Sequence, residues 1–376
     1  MKSLIWVKVL LSLILIIVFS VCLINYIADP YNLYKTNLFK NKPKDYEQMR
    51  IVKILKIEEI KPVSLILGSS RAEVAIDPNS SFFIKPAFNA ANAGATIYES
   101  KLYLQHAINK SYIKKVLLVA DWRMFNDERM SKIDNIESLF LNKYHIYRYL
   151  LNFKVLEDSI YTINNNKQPS LYYELGNMKE YYFQDIIIAN GGHYKTMLSE
   201  EKKYYKLLSN NNLYKDTQKS SLLDFMEILE LCYKNDIELD IVFGPSHIRQ
   251  WEAFDYYKDY ETLLTWKKDL VEIVQKVANK FNKIPFRIVD FAVYNEYTSE
   301  KIPTEENQSM VYHYEGSHYK PKLGEMLLKS LSSGDYHNNF GVELNNNNID
   351  SHLQKLREDR NKFINTKEYR KEVFGE

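Results

Sequence analysis

Cysteine is almost missing from this chain: two residues in 376. Cys22 lies in an N-terminal apolar stretch and Cys232 in a segment of helical pattern, so no disulfide is expected to join them, and neither resembles a catalytic thiol. For an exported protein, that absence suits a bacterial surface better than an animal secretory route. An excess of one charge is missing too. Fifty basic and 48 acidic side chains leave +2, which argues against a nucleic-acid-binding surface. No compact metal-ligand motif occurs; His247, His313 and His318 are the nearest approach to one. No cofactor motif and no internal repeat is found. Aromatics, by contrast, abound: the 30 tyrosines and 18 phenylalanines read first as compositional bias, with stacking on sugar rings as the functional alternative.

The length allows one large domain or two small ones. Residues 9–27 carry no charge, and at about 1.5 Å per residue they extend about 28 Å, close to the hydrocarbon thickness of a bilayer. Lys2 and Lys8 precede them, which predicts a cytoplasmic N-terminus and an extracytoplasmic body. Asn25-Tyr26-Ile27-Ala28 is a poor cleavage site, so the stretch reads as an uncleaved anchor and not as a removed signal peptide. Asp29-Pro30-Tyr31-Asn32 is a turn signal at its end.

Beyond it the pattern alternates. A helix is expected over 46–59, stopped by Pro62. Short apolar strands are expected at 63–67, near 88, at 115–121, 237–243 and 286–291, and helices at 99–109, 221–235, 261–281 and 321–331. Buried apolar strands separated by helices indicate parallel pairing. The expected fold is a three-layer α/β/α sandwich with about five parallel strands, flavodoxin-like, after one transmembrane helix. The expected boundaries are an anchor at 1–28, an α/β domain at 29–334 with an insertion at about 126–216 that caps the site, and a polar linker with a charged helix at 335–376. Within that helix, Arg357, Glu358, Asp359 and Arg360 read as a solvated face.

Two distant segments carry the chemistry. Gly68-Ser69-Ser70-Arg71 follows the first strand, and Glu315-Gly316-Ser317-His318 closes the globular part. Serine needs a base to take its proton and a third group to orient that base. Ser70, His318 and Glu315 supply those three types, with Ser69 as the competing nucleophile. Ser69 or Ser70 also reads as a plain helix cap, and His313 is a weaker candidate base. In Asn92-Ala93-Gly94, the Gly94 N–H is a candidate oxyanion donor beside that of Ser70. In open parallel sheets ligands bind beyond the carboxyl ends of the strands, and Asp121 and His247 follow predicted strands as well.

In order, these segments resemble the SGNH (GDSL-type) hydrolase superfamily over about residues 60–330. Its Gly-Asp-Ser turn is matched by Gly68-Ser69-Ser70, its glycine block by Asn92-Ala93-Gly94, and its Asp-x-x-His by Glu315-Gly316-Ser317-His318. Its Gly-x-Asn-Asp block is not kept. Ala120-Asp121-Trp122-Arg123 stands there, leaving Asp121, Arg123 or Asn126 as substitutes for the missing asparagine. With the anchor, Asp29-Pro30-Tyr31, Arg71, His318-Tyr319 and the tail from Phe340, the chain resembles membrane-anchored bacterial members of that superfamily, including the families of D-alanine transfer to teichoic acids and of alginate acetylation. The resemblance implies a serine esterase or O-acyltransferase acting on a cell-envelope glycan, with a membrane-bound acyltransferase as a possible acyl supplier. It implies Ser70, His318 and Glu315 as catalytic, and Gly94, Asp121, Arg71, Arg123 and His247 as oxyanion or substrate contacts. A non-catalytic glycan-binding or assembly factor on the same fold is the alternative.

Overall fold

The computed structural model of the protein describes residues 2–125, 136–141, 143–206, 220–336 and 339–376. The chain forms two compact units: Met1–Glu59 with Asn135–Tyr173, and Ile60–Asp134 with Glu174–Glu376. The stretch expected as one insertion is therefore divided between them.

In the first unit, helix α1 (Lys2–Ala28) includes Leu4–Ala28, which is long and apolar enough to cross a membrane. Its end is built by polar contacts. Asp29 adopts a positive φ, and its carboxylate accepts from the N–H groups of Leu33 (2.7 Å), Tyr34 (3.1 Å) and Thr36 (3.2 Å). Lys42 Nζ donates to the Ala28 carbonyl at 2.8 Å, satisfying one of the acceptors a helix end leaves over. Helix α2 (Met49–Ile60) ends ahead of Pro62. Two more helices, α5 (Ile136–Leu141) and α6 (Phe153–Asn164), follow in sequence after the first part of the sheet. Asn25 of α1 donates to the carbonyls of Leu150 (2.9 Å) and Asn152 (3.2 Å) and accepts from Ser159 Oγ of α6 at 3.0 Å.

The second unit holds a six-stranded sheet: β1 (Ser64–Gly68), β2 (Ala87–Asn89), β3 (Lys115–Ala120), β4 (Glu238–Phe243), β5 (Arg287–Asp290) and β6 (Val342–Leu344). The order is β2-β1-β3-β4-β5-β6, and every pairing is parallel except that of β6 with β5. β1 and β3 are buried along their whole length, as strands covered on both faces must be. Ile66, Val119, Val242 and Val289 pack with α3 (Ser70–Ala75) and α12 (Pro321–Ser333). The right-handed crossovers of a parallel sheet put α4 (Ile97–Lys110), α9 (Ser221–Lys234) and α11 (Tyr260–Phe281) on the opposite face. Their ends carry the expected signals: a Thr96–Glu99 capping box opens α4, and Pro321 is the first residue of α12. Helices α7 (Tyr181–Asn190) and α8 (His193–Ser199), with a π turn at Glu200–Tyr204, precede α9. Helix α10 (Ile248–Tyr257) follows β4.

The tail differs from its expectation. β6 adds a strand where a linker was expected, and α13 (Ile349–Phe363) is tied down, with α14 (Thr366–Phe374) after it. Leu353 and Leu356 are buried as their spacing predicts. The charged run is not simply solvated. Arg360 makes paired bonds to Glu252 (2.8 and 2.7 Å) and one to Asp255 (2.7 Å), and Arg357 binds Glu261. Guanidinium groups recruit carboxylates in this bidentate way wherever two helices bring them together. Composition alone does not show that α10 and α11 lie opposite.

Candidate active site

Strand order sets the place of the site. β1 connects to β2 on one side, and the chain then crosses back over β1 to β3, so a switch point lies beyond the carboxyl ends of β1 and β3. Gly68-Ser69-Ser70 leaves β1 there, and Asp121 leaves β3. Gly68 has a φ of +153°, and a Cβ on it would lie 2.8 Å from the Ala72 Cβ and 2.9 Å from the Val119 carbonyl oxygen. Glycine alone allows so sharp an exit from the strand.

The two serines part at that turn. Ser70 Oγ lies 2.7 Å from His318 Nε2. The other ring nitrogen, Nδ1, bonds to the Glu315 carboxylate, which also accepts from the backbone N–H of Ser317 (2.7 Å) and of His318 (2.9 Å). Ser69 stands in the cap position of α3, yet its hydroxyl does not cap the helix. It donates to Asp121, an ionised and therefore stronger acceptor. Ser69 is thus turned away from His318 and taken up elsewhere. Ser70 is half-buried, whereas Glu315 and His318 are buried.

The Glu315–His318 turn is held from several directions. Tyr314 N–H donates to His318 O at 2.9 Å, His247 N–H to Gly316 O at 3.0 Å, and Ser246 Oγ to Ser317 O at 3.1 Å. A side chain at Gly316 would press on Tyr205 Oη (3.1 Å) and Met197 Sδ (3.2 Å). The ring of Phe183 lies against His318 with centroids 4.6 Å apart, and it stacks on Tyr314 at 4.9 Å. Nothing in the local sequence of α7 or of the π turn and the residue after it marks Phe183, Glu200 or Tyr205 as neighbours of the pair; only the tertiary fold brings them there.

Arg71 and Asp121 form a buried link between the two halves of the site. Arg71 Nη1 pairs with Asp121 Oδ2 at 2.7 Å, while its Nε and Nη2 donate to Ser317 O (3.0 Å) and Ser317 Oγ (2.8 Å). Arg71 therefore braces the residue before His318. As an ionised carboxylate, Asp121 is an acceptor, so it does not replace the donor asparagine. Arg123 donates its backbone N–H to Asp121 at 3.1 Å. Asn126 lies outside the described residues.

His247 is not brought to the pair. It is buried; its Nε2 contacts Glu300 O at 2.8 Å, and its Nδ1 caps α10 by accepting from Arg249 N–H at 3.3 Å. His313 is likewise engaged, with Glu300 (3.2 Å) and Pro245 O (3.0 Å). Gly94, at a φ of +64°, follows Asn92, whose N–H donates to Gly68 O at 3.2 Å, so this loop lies beside the serine turn.

The electrostatics separate the acids. Burial pushes the Glu315 carboxyl up, but the His318 ring, the Ser317 N–H and the Arg71 charge bring it below its ordinary value. Burial also raises Asp121, and the charges of Arg71 and Arg123 outweigh it, leaving Asp121 lowered. Glu200 is raised to about 7 by burial and by repulsion from Glu315, partly offset by Arg123. His247 is pushed down to about 3 by burial and by the neighbouring His313. Beside Arg71 and Asp121 opens a cavity of about 70 Å³ walled by Trp122, Trp251, Trp266 and Phe254; its wall includes neither Ser70 nor His318.

No protein-family model matches the chain, and no curated protein is significantly similar to it.

Proposed function

We propose that the protein is a serine-dependent esterase or O-acyltransferase of SGNH type, anchored by α1 in a bacterial membrane and acting outside the cell on an envelope glycan. The observation that carries this reading is the 2.7 Å approach of Ser70 Oγ to His318 Nε2, with Glu315 on the far ring nitrogen. In this mechanism His318 Nε2 takes the Ser70 proton as Oγ attacks the acyl carbon. Glu315 holds the tautomer that leaves Nε2 free and stabilises the imidazolium as it forms. The oxyanion is held by the N–H groups of Ser70 and Gly94. His318 returns the proton to the leaving oxygen, leaving an acyl-Ser70 ester. A glycan hydroxyl, deprotonated by His318, then resolves that ester by transfer, or water does so by hydrolysis. A membrane-bound acyltransferase is the proposed source of the acyl group.

One observation favours a second reading. The block that would supply the asparagine donor reads Ala120-Asp121-Trp122-Arg123, and its Asp121 is an acceptor already engaged by Ser69 and Arg71. A glycan-binding or assembly factor without turnover fits that loss of a donor. A fluorophosphonate probe on the full chain tests the proposal: covalent labelling that disappears in Ser70→Ala is expected. Labelling undiminished in Ser70→Ala overturns Ser70 as nucleophile. Glycan acyl content unchanged by Ser70→Ala and His318→Ala, but altered when the whole chain is deleted, favours the second reading.

A further inference from the structure

We infer that α6 lies on the lipid surface beside the end of α1, with Phe153, Ile160 and Ile163 turned into the bilayer interface. The inference rests on the reading of α1 as a membrane anchor. It begins with a polarity that runs the wrong way for a helix in water. At about 100° per residue, Val155, Asp158, Ser159 and Thr162 share one arc of about 100°, and all four are buried. Three of the four are polar. Asp158 accepts from Tyr31 Oη at 2.6 Å, and Ser159 donates to Asn25 at 3.0 Å. Phe153, Ile160 and Ile163 fall within another arc of about 80° and are 74, 49 and 37% exposed. Leu156, on the same arc, is half-buried. A helix that buries its polar stripe and exposes its apolar one is matched to an apolar medium.

The height of this face identifies the medium. Asn25 belongs to the apolar span Leu4–Ala28 and holds the carbonyls of Leu150 and Asn152. Leu151, between them, is 56% exposed, and Phe153 follows at once. The exposed apolar face thus begins at the level of the span's last turn, where Leu23, Ile24 and Tyr26 of α1 are exposed as well. On the other flank of α6, Lys154 and Glu157 stay outward. An apolar stripe edged by charges, level with the end of a span, is the arrangement of a helix lying in the interface plane.

The test places one NBD fluorophore at a time on the full chain, in phosphatidylcholine–phosphatidylglycerol vesicles, at Ile160→Cys, Glu157→Cys or Ile14→Cys. Cys22→Ala removes the accessible native thiol, and Cys232 is buried and is left in place. Expected is at least twofold stronger quenching of the Ile160 label than of the Glu157 label by lipids brominated on their acyl chains, with the reverse order for iodide in the buffer. An Ile160 label as open to iodide as that at Glu157 overturns the inference. So does one shielded from both quenchers, which marks a protein occupant. Bromolipid quenching at Ile14 without quenching at Ile160 refutes this inference and leaves the anchor standing. Iodide access at Ile14 refutes the anchor, and this inference with it.

Discussion

Replacing Glu315 by glutamine keeps its shape and removes its charge, and the geometry around the side chain determines the effect. The carboxylate accepts from three N–H groups: the backbone of Ser317 and of His318, and the His318 ring. An amide offers one oxygen and one NH2. With the oxygen toward the ring, the NH2 faces the Ser317 N–H, and a buried donor left unmet costs about 1–3 kcal/mol of stability. With the NH2 toward the ring, His318 must hold its proton on Nε2, facing Ser70, where it cannot act as a base. Either way the ring loses the charge that stabilises the imidazolium. General-base catalysis contributes about 10²–10⁴ in rate, equivalent to about 3–5 kcal/mol of barrier. The expected result for Glu315→Gln is a fall of that order in the second-order rate of fluorophosphonate labelling, with cooperative thermal unfolding retained. Glu315→Asp keeps the charge at a shorter reach and should recover part of the rate. A folded Glu315→Gln variant labelled within about threefold of the parent would refute the assignment of Glu315 as the group that orients the base.

Arg71→Met strands the buried Asp121 charge and should destabilise the chain by about 3–5 kcal/mol at pH 7 in chemical denaturation. The deficit should shrink on acidification, because losing the Arg71 charge that offsets burial lets Asp121 take up its proton at a higher pH than in the parent, and adding Asp121→Asn should restore part of the loss. Glu200 is raised in the folded chain to about 7, so the stability it contributes is complete below its unfolded value near pH 4.3 and is lost as pH rises through about 7. Thermal melts across that window should fall less steeply for Glu200→Gln than for the parent; parallel curves would contradict the raised value of Glu200 that burial and Glu315 produce. A Cβ on Gly324 would lie 2.0 Å from the Ala75 carbonyl oxygen at the end of α3, the helix that begins with Ser70. Gly324→Ala should therefore cost at least about 2 kcal/mol by denaturant titration despite its better helix propensity and slow labelling of Ser70. Gly334→Ala, with open space around it, should cost only about 1 kcal/mol through its positive φ.

The sheet was legible because each parallel strand is a short apolar run between turn signals, and burial on both faces demands that composition. Ser70, Glu315 and His318 were legible as a candidate set because each signal is local: a turn after a strand, and an acid three residues before a histidine. What escaped was whatever depends on apposition. His247 carries the right side chain after the right strand, yet its ring is taken up by Glu300 and by the cap of α10. Ser69 and Ser70 are neighbours of one type, and only Asp121 and His318 tell them apart. β6 is three residues of an antiparallel edge, too short to show a period. The arc of α6 was hidden because its polar stripe, read without α1 beside it, passes for a surface.

The pairing of β3 with β4 joins Lys115 to Glu238, 123 positions later. During synthesis the three earliest strands emerge long before β4, which continues the sheet beyond β3, while the ribosome adds the whole of the intervening excursion. Until then β3 presents an unmet ladder of amides and carbonyls to any stray strand. Closing so wide a loop is slow as well as entropically costly. The nascent chain therefore has an early window of vulnerability to mispairing, one that a factor holding β3 until β4 emerges would shorten.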